Sequence, residues 1–283
     1  MPNFTEVQPV PAAPPRVGSL LGSIGVTQEP DTRWANGIVW RPETCFSGET
    51  WSLCASSGST PQGGVDGGLA YHAPTALRAE FTCGNRYGND PAADTARVQR
   101  QLEAASSFLL ARELWLGTHT QASPYDTPQA SGVVNGYLAD GNANVIAGHF
   151  EPLEAIGLLE ETARAAILGQ QVTIHMPIVL LPYFANVVTD RNGTLFTQAG
   201  SKVIADSGYD GSGPSDSAAT PGLVWMYATA PVQVRLSSIA AYNFPTIANN
   251  TRTFVAERAG AATYDPCGHF GLAVALPGDV TTP

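Results

Sequence analysis

The side chains able to do chemistry in this chain are few and scattered. Five histidines stand at His72, His119, His149, His175 and His269, without H-E-x-x-H or any other ligand spacing. Four cysteines, Cys45, Cys54, Cys83 and Cys267, form no C-x-x-C pair, and Cys267-Gly268-His269 is too short and isolated to read as a metal site. A nucleophile elbow would need G-x-S-x-G, and a phosphate cradle would need G-x-x-x-x-G-K-[ST]. Neither occurs, and the only lysine, Lys202, follows Gly200-Ser201 rather than a phosphate-binding loop. A glycosidase needs two carboxylates brought together by folding, and 24 acids offer many pairs of which none is marked. Trp34, Trp40, Trp51, Trp115 and Trp225 read as ordinary core and interface residues rather than a sugar cleft. We assign no catalytic, cofactor-binding or metal-ligating residue and expect no cofactor. A carbohydrate-active hydrolase with an unmarked carboxylate pair stands as the enzymatic alternative.

The elements that would have to position such residues are clearer than the residues themselves. Apolar residues recurring with a helical period, with Val98, Leu102, Ala105, Leu109 and Leu116 on one stripe, predict a helix over Pro91–Leu116. Asp90 suits its N-cap, Pro91 its first turn, Asp94 the positive end of its dipole and Gly117 its end. Twenty-six residues at 1.5 Å each make it about 39 Å long. A second helix is predicted from Pro152 to Leu168, with Leu153, Ile156, Ala163 and Ile167 on one face and Gly169 as its stop; the glutamates of its first half are a solvated face. Val172–Pro177 is a buried strand, which makes His175 a hydrogen-bonded core residue. A short helical run, 178–188, and a turn at Asp190–Gly193 follow. Strand character then dominates 194–197, 201–206, 224–229, 232–236, 253–257 and 270–276, with 208–221 a polar loop. Upstream, Gly37–Trp40 and Leu77–Cys83 flank the Gly/Ser-rich stretch Ser56–Gly64, a pattern that predicts a long extended hairpin.

Composition narrows the function. Charged residues make up 13% of the 283 residues, about half of the roughly 25% usual for a soluble domain. A net charge of −10 without a basic run is not built to grip nucleic acid or an anionic membrane surface. Hydrophobic content of 43% is too high for intrinsic disorder, and no apolar run approaches the ~18 residues of a membrane span. Depleted charge is a property of the centres of protein–protein interfaces, and also of an Ala-rich, Arg-over-Lys coding bias. Residues 1–18 hold five prolines and no apolar h-region, so an extended arm is expected there rather than a signal peptide. The cysteines are then expected as buried thiols, with a Cys45–Cys54 bridge or a zinc site at Cys83 as the alternatives.

Two stretches carry a family resemblance. Glu151–Ala163, Val172-Thr-Ile-His-Met-Pro177, Leu181-Pro-Tyr-Phe184 and Asp190-Arg-Asn-Gly193 resemble the helix, strand, helix and "D-x-x-G" turn of the axial domain in Hong Kong 97-type capsid proteins of tailed bacteriophages, a fold shared with encapsulins. Thr253-Phe-Val-Ala-Glu-Arg258, Tyr264-Asp-Pro266 and the strand at Phe270–Leu276 resemble the closing segment of that family's peripheral domain. The resemblance implies an α+β chain. Its parts are an N-terminal arm (1–30), an extended-loop region (31–85) and a peripheral domain with spine helix (86–149). An axial domain (150–245) and a return to the peripheral domain and C-terminus (246–283) complete it. It implies a non-enzymatic major capsid subunit that self-assembles into hexamers and pentamers of an icosahedral head enclosing double-stranded DNA without sequence-specific binding. Implied partners are many copies of itself and scaffolding, portal and decoration proteins, with no membrane. The implied location is the virion, assembled in the bacterial host cytoplasm. An encapsulin-type shell or a minor head protein is the related alternative. The Lys–Asn weld of some members does not carry over, because Lys202 lies outside the hairpin.

Overall fold

The computed structural model describes residues 16–30, 34, 37–43, 70–84, 90–119, 136–216 and 221–276. The expected hairpin tip at Ser56–Gly64 and most of the Pro-rich arm lie outside the described residues.

Two sheets, each with its own helix, make up the body. In the first, β13 (Thr251–Thr263) is the central strand. It pairs along one edge with β4 (Thr75–Gly84), antiparallel over Thr251–Gly260. Along its other edge it pairs with β12 (Ala240–Thr246) and then β11 (Gln233–Ser237). Strand β1 (Val26–Glu29), which follows the single-turn helix α1 (Leu20–Ser23), adds to β11 in parallel. The long helix α2 (Pro91–Leu116) lies on this sheet and buries Val98, Leu102 and Leu110 with Leu77, Leu236 and Phe254.

The second sheet has the order β5-β14-β10-β6-β9-β8-β7. Its strands are β5 (Asn144–Phe150), β6 (Thr173–Pro177), β7 (Val188–Arg191), β8 (Thr194–Thr197), β9 (Lys202–Asp206), β10 (Leu223–Thr229) and β14 (Phe270–Ala275). Helix α3 (Pro152–Ala166) covers it, burying Ala155, Ile156, Leu159 and Ala163 against Ile174, Met226 and Leu272. Strand β6 is buried along its whole length because both its neighbours and both its faces are occupied.

Local sequence explains the ends of these elements. The Asp90 side chain accepts the Ala92 N–H at 2.9 Å, Pro91 opens α2, and Gly117 closes it at φ +62, a left-handed position that other residues enter at a cost. The 190–193 turn is the tip of the β7–β8 hairpin, where Asn192 and Gly193 both have positive φ, the geometry that matches strand twist. The run after β6 is a 3-10 helix, Ile178–Phe184, with Pro182 inside it.

Three features differ from the sequence reading. The buried stripe of α2 is wider than expected: Ser106, Ser107, Ala111, Leu114 and Trp115 are buried while Ala105, Leu109 and Leu116 are only half-buried. The helix is covered on two sides, by its sheet and by the segment after β9. A Cβ on Gly208 would sit 2.4 Å from the Phe108 carbonyl oxygen. Second, Gly37–Trp40 does not share a hairpin with Leu77–Cys83. Strand β2 (Ile38–Trp40) pairs with β3 (Ala70–His72), and Leu77–Cys83 belongs to β4 on β13. Ten residues of alternating exposure fit a long sheet edge better than a two-stranded ribbon. Third, Phe270–Ala275 leaves the sheet of β13 and forms a ladder with β10 in the second sheet, because its buried Leu272 and Val274 face the core under α3. The ladders likewise put β11 and β12 with β13.

Candidate functional site

The two sheets meet at a polar and aromatic seam. Asp206, at the end of β9, is 2% exposed. One carboxylate oxygen accepts the Leu20 N–H at 2.8 Å and the Ser107 hydroxyl at 3.3 Å, and the other accepts the Gly208 N–H at 2.9 Å. A single carboxylate thus ties the N-terminal turn, the long helix and the second sheet. The arm's exit is fastened beside it, where Arg16 donates to the Ala205 carbonyl and Ala205 N–H bonds Gly18 O at 2.8 Å. Beyond Asp206 the seam is aromatic. Trp115 of α2 lies 4.9 Å from Tyr209 and 5.0 Å from Tyr227, ring centre to ring centre, and its indole N–H reaches Ser212 Oγ at 3.1 Å.

His175 is fully buried in this seam. Its Nδ1 bonds the Tyr209 hydroxyl and its Nε2 the Thr229 hydroxyl, each at 3.0 Å. Burial, helped by nearby His269, lowers its pKa to about 3. His269 bonds the Leu138 carbonyl at 3.0 Å, and burial lowers its pKa to about 4 against the opposing pull of that carbonyl and of Asp140. Burial likewise lowers His72 to about 4, and raises Tyr209 and Tyr264 well above the usual tyrosine value. The seam's histidines are neutral connectors at pH 7.

The other buried acids hold structure together. Glu160 of α3, expected on the solvated face with Glu151, Glu154 and Glu161, is instead buried, because it accepts from Thr197 and Ser201 and lies 3.2 Å from Arg164, fastening α3 to the β8–β9 turn. Glu113 accepts the His119 N–H at 2.8 Å, and Asp140 accepts from both nitrogens of Asn142. Lys202 is half-buried on β9, and desolvation lowers its pKa. Among the described residues no group of three His, Cys, Asp or Glu is placed to hold a metal ion, and no helix is long and apolar enough to cross a membrane. Cys83 is a thiol. Cys267 is disulfide-bonded, which corrects the expectation of thiols for that residue. Pairing depends on which sulfurs the fold brings together, which the spacing of the cysteines does not encode. Cys45 and Cys54 lie outside the described residues.

Asp206, Ser107 and Tyr209 escaped the sequence reading. The available signal was a carboxylate closing the apolar run Val203-Ile-Ala-Asp206, a position that burial reaches. Outside the seam the protein presents open apolar and backbone surface. Ile247, at the tip between β12 and β13, is 91% exposed, with Phe244 and Tyr242 exposed on edge strand β12. Strands β5 and β7 are the two edges of the second sheet, and an edge carries backbone groups able to pair with another chain.

Two sheets, a long spine helix between them, and a ribbon and N-terminal turn attached at the rim define a class: the α+β architecture is the Hong Kong 97-type capsid fold. Among solved structures, the chain is similar to the capsid of an empty GTA particle, with a TM-score of 0.53 at 10% identity over 97% of this chain and 95% of that one. It is similar to a structure from Mycobacterium phage Cain, with a TM-score of 0.52 at 14% identity over 96% and 93% of the two chains. A structure from Mycobacterium phage Adephagia gives 0.50 at 13% identity over 96% and 93%. No protein-family model matches the sequence, and no curated protein matches it. The relation is one of fold, at identities of 10 to 14%.

Proposed function

We propose that the chain is the major capsid subunit of a tailed-phage-type particle, self-assembling as hexamers and pentamers into an icosahedral shell around double-stranded DNA. The observation that carries this reading is fold similarity across nearly the whole chain to the GTA capsid and the mycobacterial phage structures. The open sheet edges and the exposed Ile247 tip suit a subunit whose neighbours complete it. The low charge fits the same role, because interfaces on many sides would otherwise desolvate unpaired ions. On this reading the sheet of β13 with α2 is the peripheral domain and the sheet of β6 with α3 the axial domain. Residues 1–30 are the arm and 31–85 contain the extended loop, with β2 and β3 as its root. Scaffolding, portal and decoration proteins are the expected partners, the host cytoplasm the assembly site, and catalysis no part of the role.

Expression of the full chain followed by negative-stain microscopy tests the reading. Closed particles of uniform diameter are expected. A monodisperse monomer by light scattering at high concentration would defeat it. Particles purified from their source with double-stranded DNA inside support a virus, whereas an enzyme cargo would favour an encapsulin-type shell.

A further inference from the structure

The ribbon β2–β3 belongs to neither large sheet, and its two strands are anchored differently. On the β3 side, Ala70, His72 and Ala73 are buried, and the chain passes at once through Pro74 into β4. That strand is fixed by packing and by continuity with the sheet. The β2 side is shallower: Val39 is exposed, and Ile38 and Trp40 are half-buried. A cleft of about 390 Å³ lies beneath it, between Val39 and Trp40 on one wall and Gln233, Arg235 and Thr263 on the other. Across this cleft the Asp265 carboxylate takes two donors from the β2 side. One oxygen accepts the Trp40 indole N–H at 2.7 Å and the other the Glu43 backbone N–H at 2.9 Å.

Asp265 itself stands on firm ground. It lies in the link between β13 and β14, the point at which the chain crosses from one sheet to the other. Its neighbour Tyr264 is buried, with its ring 5.3 Å from that of His269 in the seam. A bidentate acceptor mounted there fixes both the position and the rotation of whatever it holds, because its two bonds act on different groups, a side chain and a backbone amide. Hydrogen bonds to a charged acceptor are also stronger than neutral ones.

We propose that Asp265 is the positioning residue of the ribbon. It sets the orientation of β2, from Ile38 to Glu43, over the cleft, and loss of this clasp lets β2 lift away from the cleft about its ladder with the fixed strand β3. Under the shell reading, on which this second consequence rests, the angle of the ribbon decides where it meets a neighbouring subunit. Asp265 is then a determinant of shell geometry.

The test compares the full-length parent with Asp265→Ala, Asp265→Asn and Trp40→Phe. All are kept in dithiothreitol so that the disulfide at Cys267 does not mask a loosened clasp. Hydrogen–deuterium exchange by mass spectrometry reads the clasp without reference to assembly. Peptides covering 37–43 should exchange at least tenfold faster in Asp265→Ala, with β13 and β14 unchanged. Asp265→Asn keeps one acceptor and should fall between. Trp40→Phe loses only the indole bond and guards against a fold lost with Asp265→Ala. Parent-like exchange at 37–43 in all three variants would overturn the clasp. Microscopy then reads geometry: a folded Asp265→Ala should form shells of mixed diameter or open sheets. Uniform parent-sized shells from a variant with a loosened ribbon would overturn the role in assembly. A parent that forms no particles would defeat the shell reading alone, since the exchange comparison decides the clasp by itself.

Discussion

Lowering the pH from 7.5 to 5 should destabilise the protein steeply, through histidines the fold holds neutral. Burial lowers His175 to about 3 and His72 and His269 to about 4. In the unfolded chain each returns to about 6.5. Below that value the unfolded state binds protons that the folded state refuses, so stability falls as pH falls. The contribution of the neutral histidines is fully present above pH 6.5 and is lost towards the folded values. At pH 5 each site is about 1.5 units below its unfolded pKa, a cost of about 2 kcal/mol per histidine, or about 6 kcal/mol for three. Against a total stability of roughly 5–15 kcal/mol that is a large fraction. His175 is the sharpest probe, because both ring nitrogens are engaged, by Tyr209 and Thr229, and a second imidazole, His269, lies near. The assay is urea unfolding of the full-length protein at low concentration, followed by tryptophan fluorescence at half-unit steps of pH. The parent should lose about 6 kcal/mol between pH 7.5 and 5, and His175→Gln, referred to its own value at pH 7.5, about 4 kcal/mol. A loss below 2 kcal/mol in the parent, or equal losses in the two proteins, would refute the reasoning.

Asp206→Ala removes the acceptor of the Leu20 and Gly208 amides and the Ser107 hydroxyl. Leaving buried donors unmet should lower stability by about 3 kcal/mol or more, read as a fall in the urea midpoint together with faster tryptic cleavage at Arg16; an unchanged midpoint would remove Asp206 from its place as the knot of the seam. Gly208→Ala would put a methyl group 2.4 Å from the Phe108 carbonyl oxygen and 2.9 Å from the Arg112 nitrogen, both backbone atoms of α2. Soluble yield should collapse, and a folded variant with a parent-like melting temperature would contradict that packing.

Local chemistry was legible residue by residue. A cap, a proline and a glycine around an apolar stripe specified α2 at Pro91–Leu116, because each acts within one turn of its own position. The same holds for the turn at Asp190–Gly193 and for the apolar run of β6 that buries His175. Strands β5 and β12 were not legible. Strand β12 carries Pro245, tolerated because it lies at a sheet edge, and β5 is mostly exposed and contains Gly148 at positive φ. Neither has the alternation by which a half-buried strand announces itself. Which strands pair was equally hidden: Leu77–Cys83 chose β13 over β2, and Phe270–Ala275 chose β10, through contacts far apart in the chain. The candidate functional features divide the same way. Sequence alone established a sparsely charged, acidic chain with a recognisable order of elements. Only tertiary structure put Leu20, Ser107 and Gly208 on the Asp206 carboxylate and Trp40 and Glu43 on Asp265. A hydrogen bond across two hundred residues depends on where folding brings two backbones, and no spacing within the sequence encodes that distance.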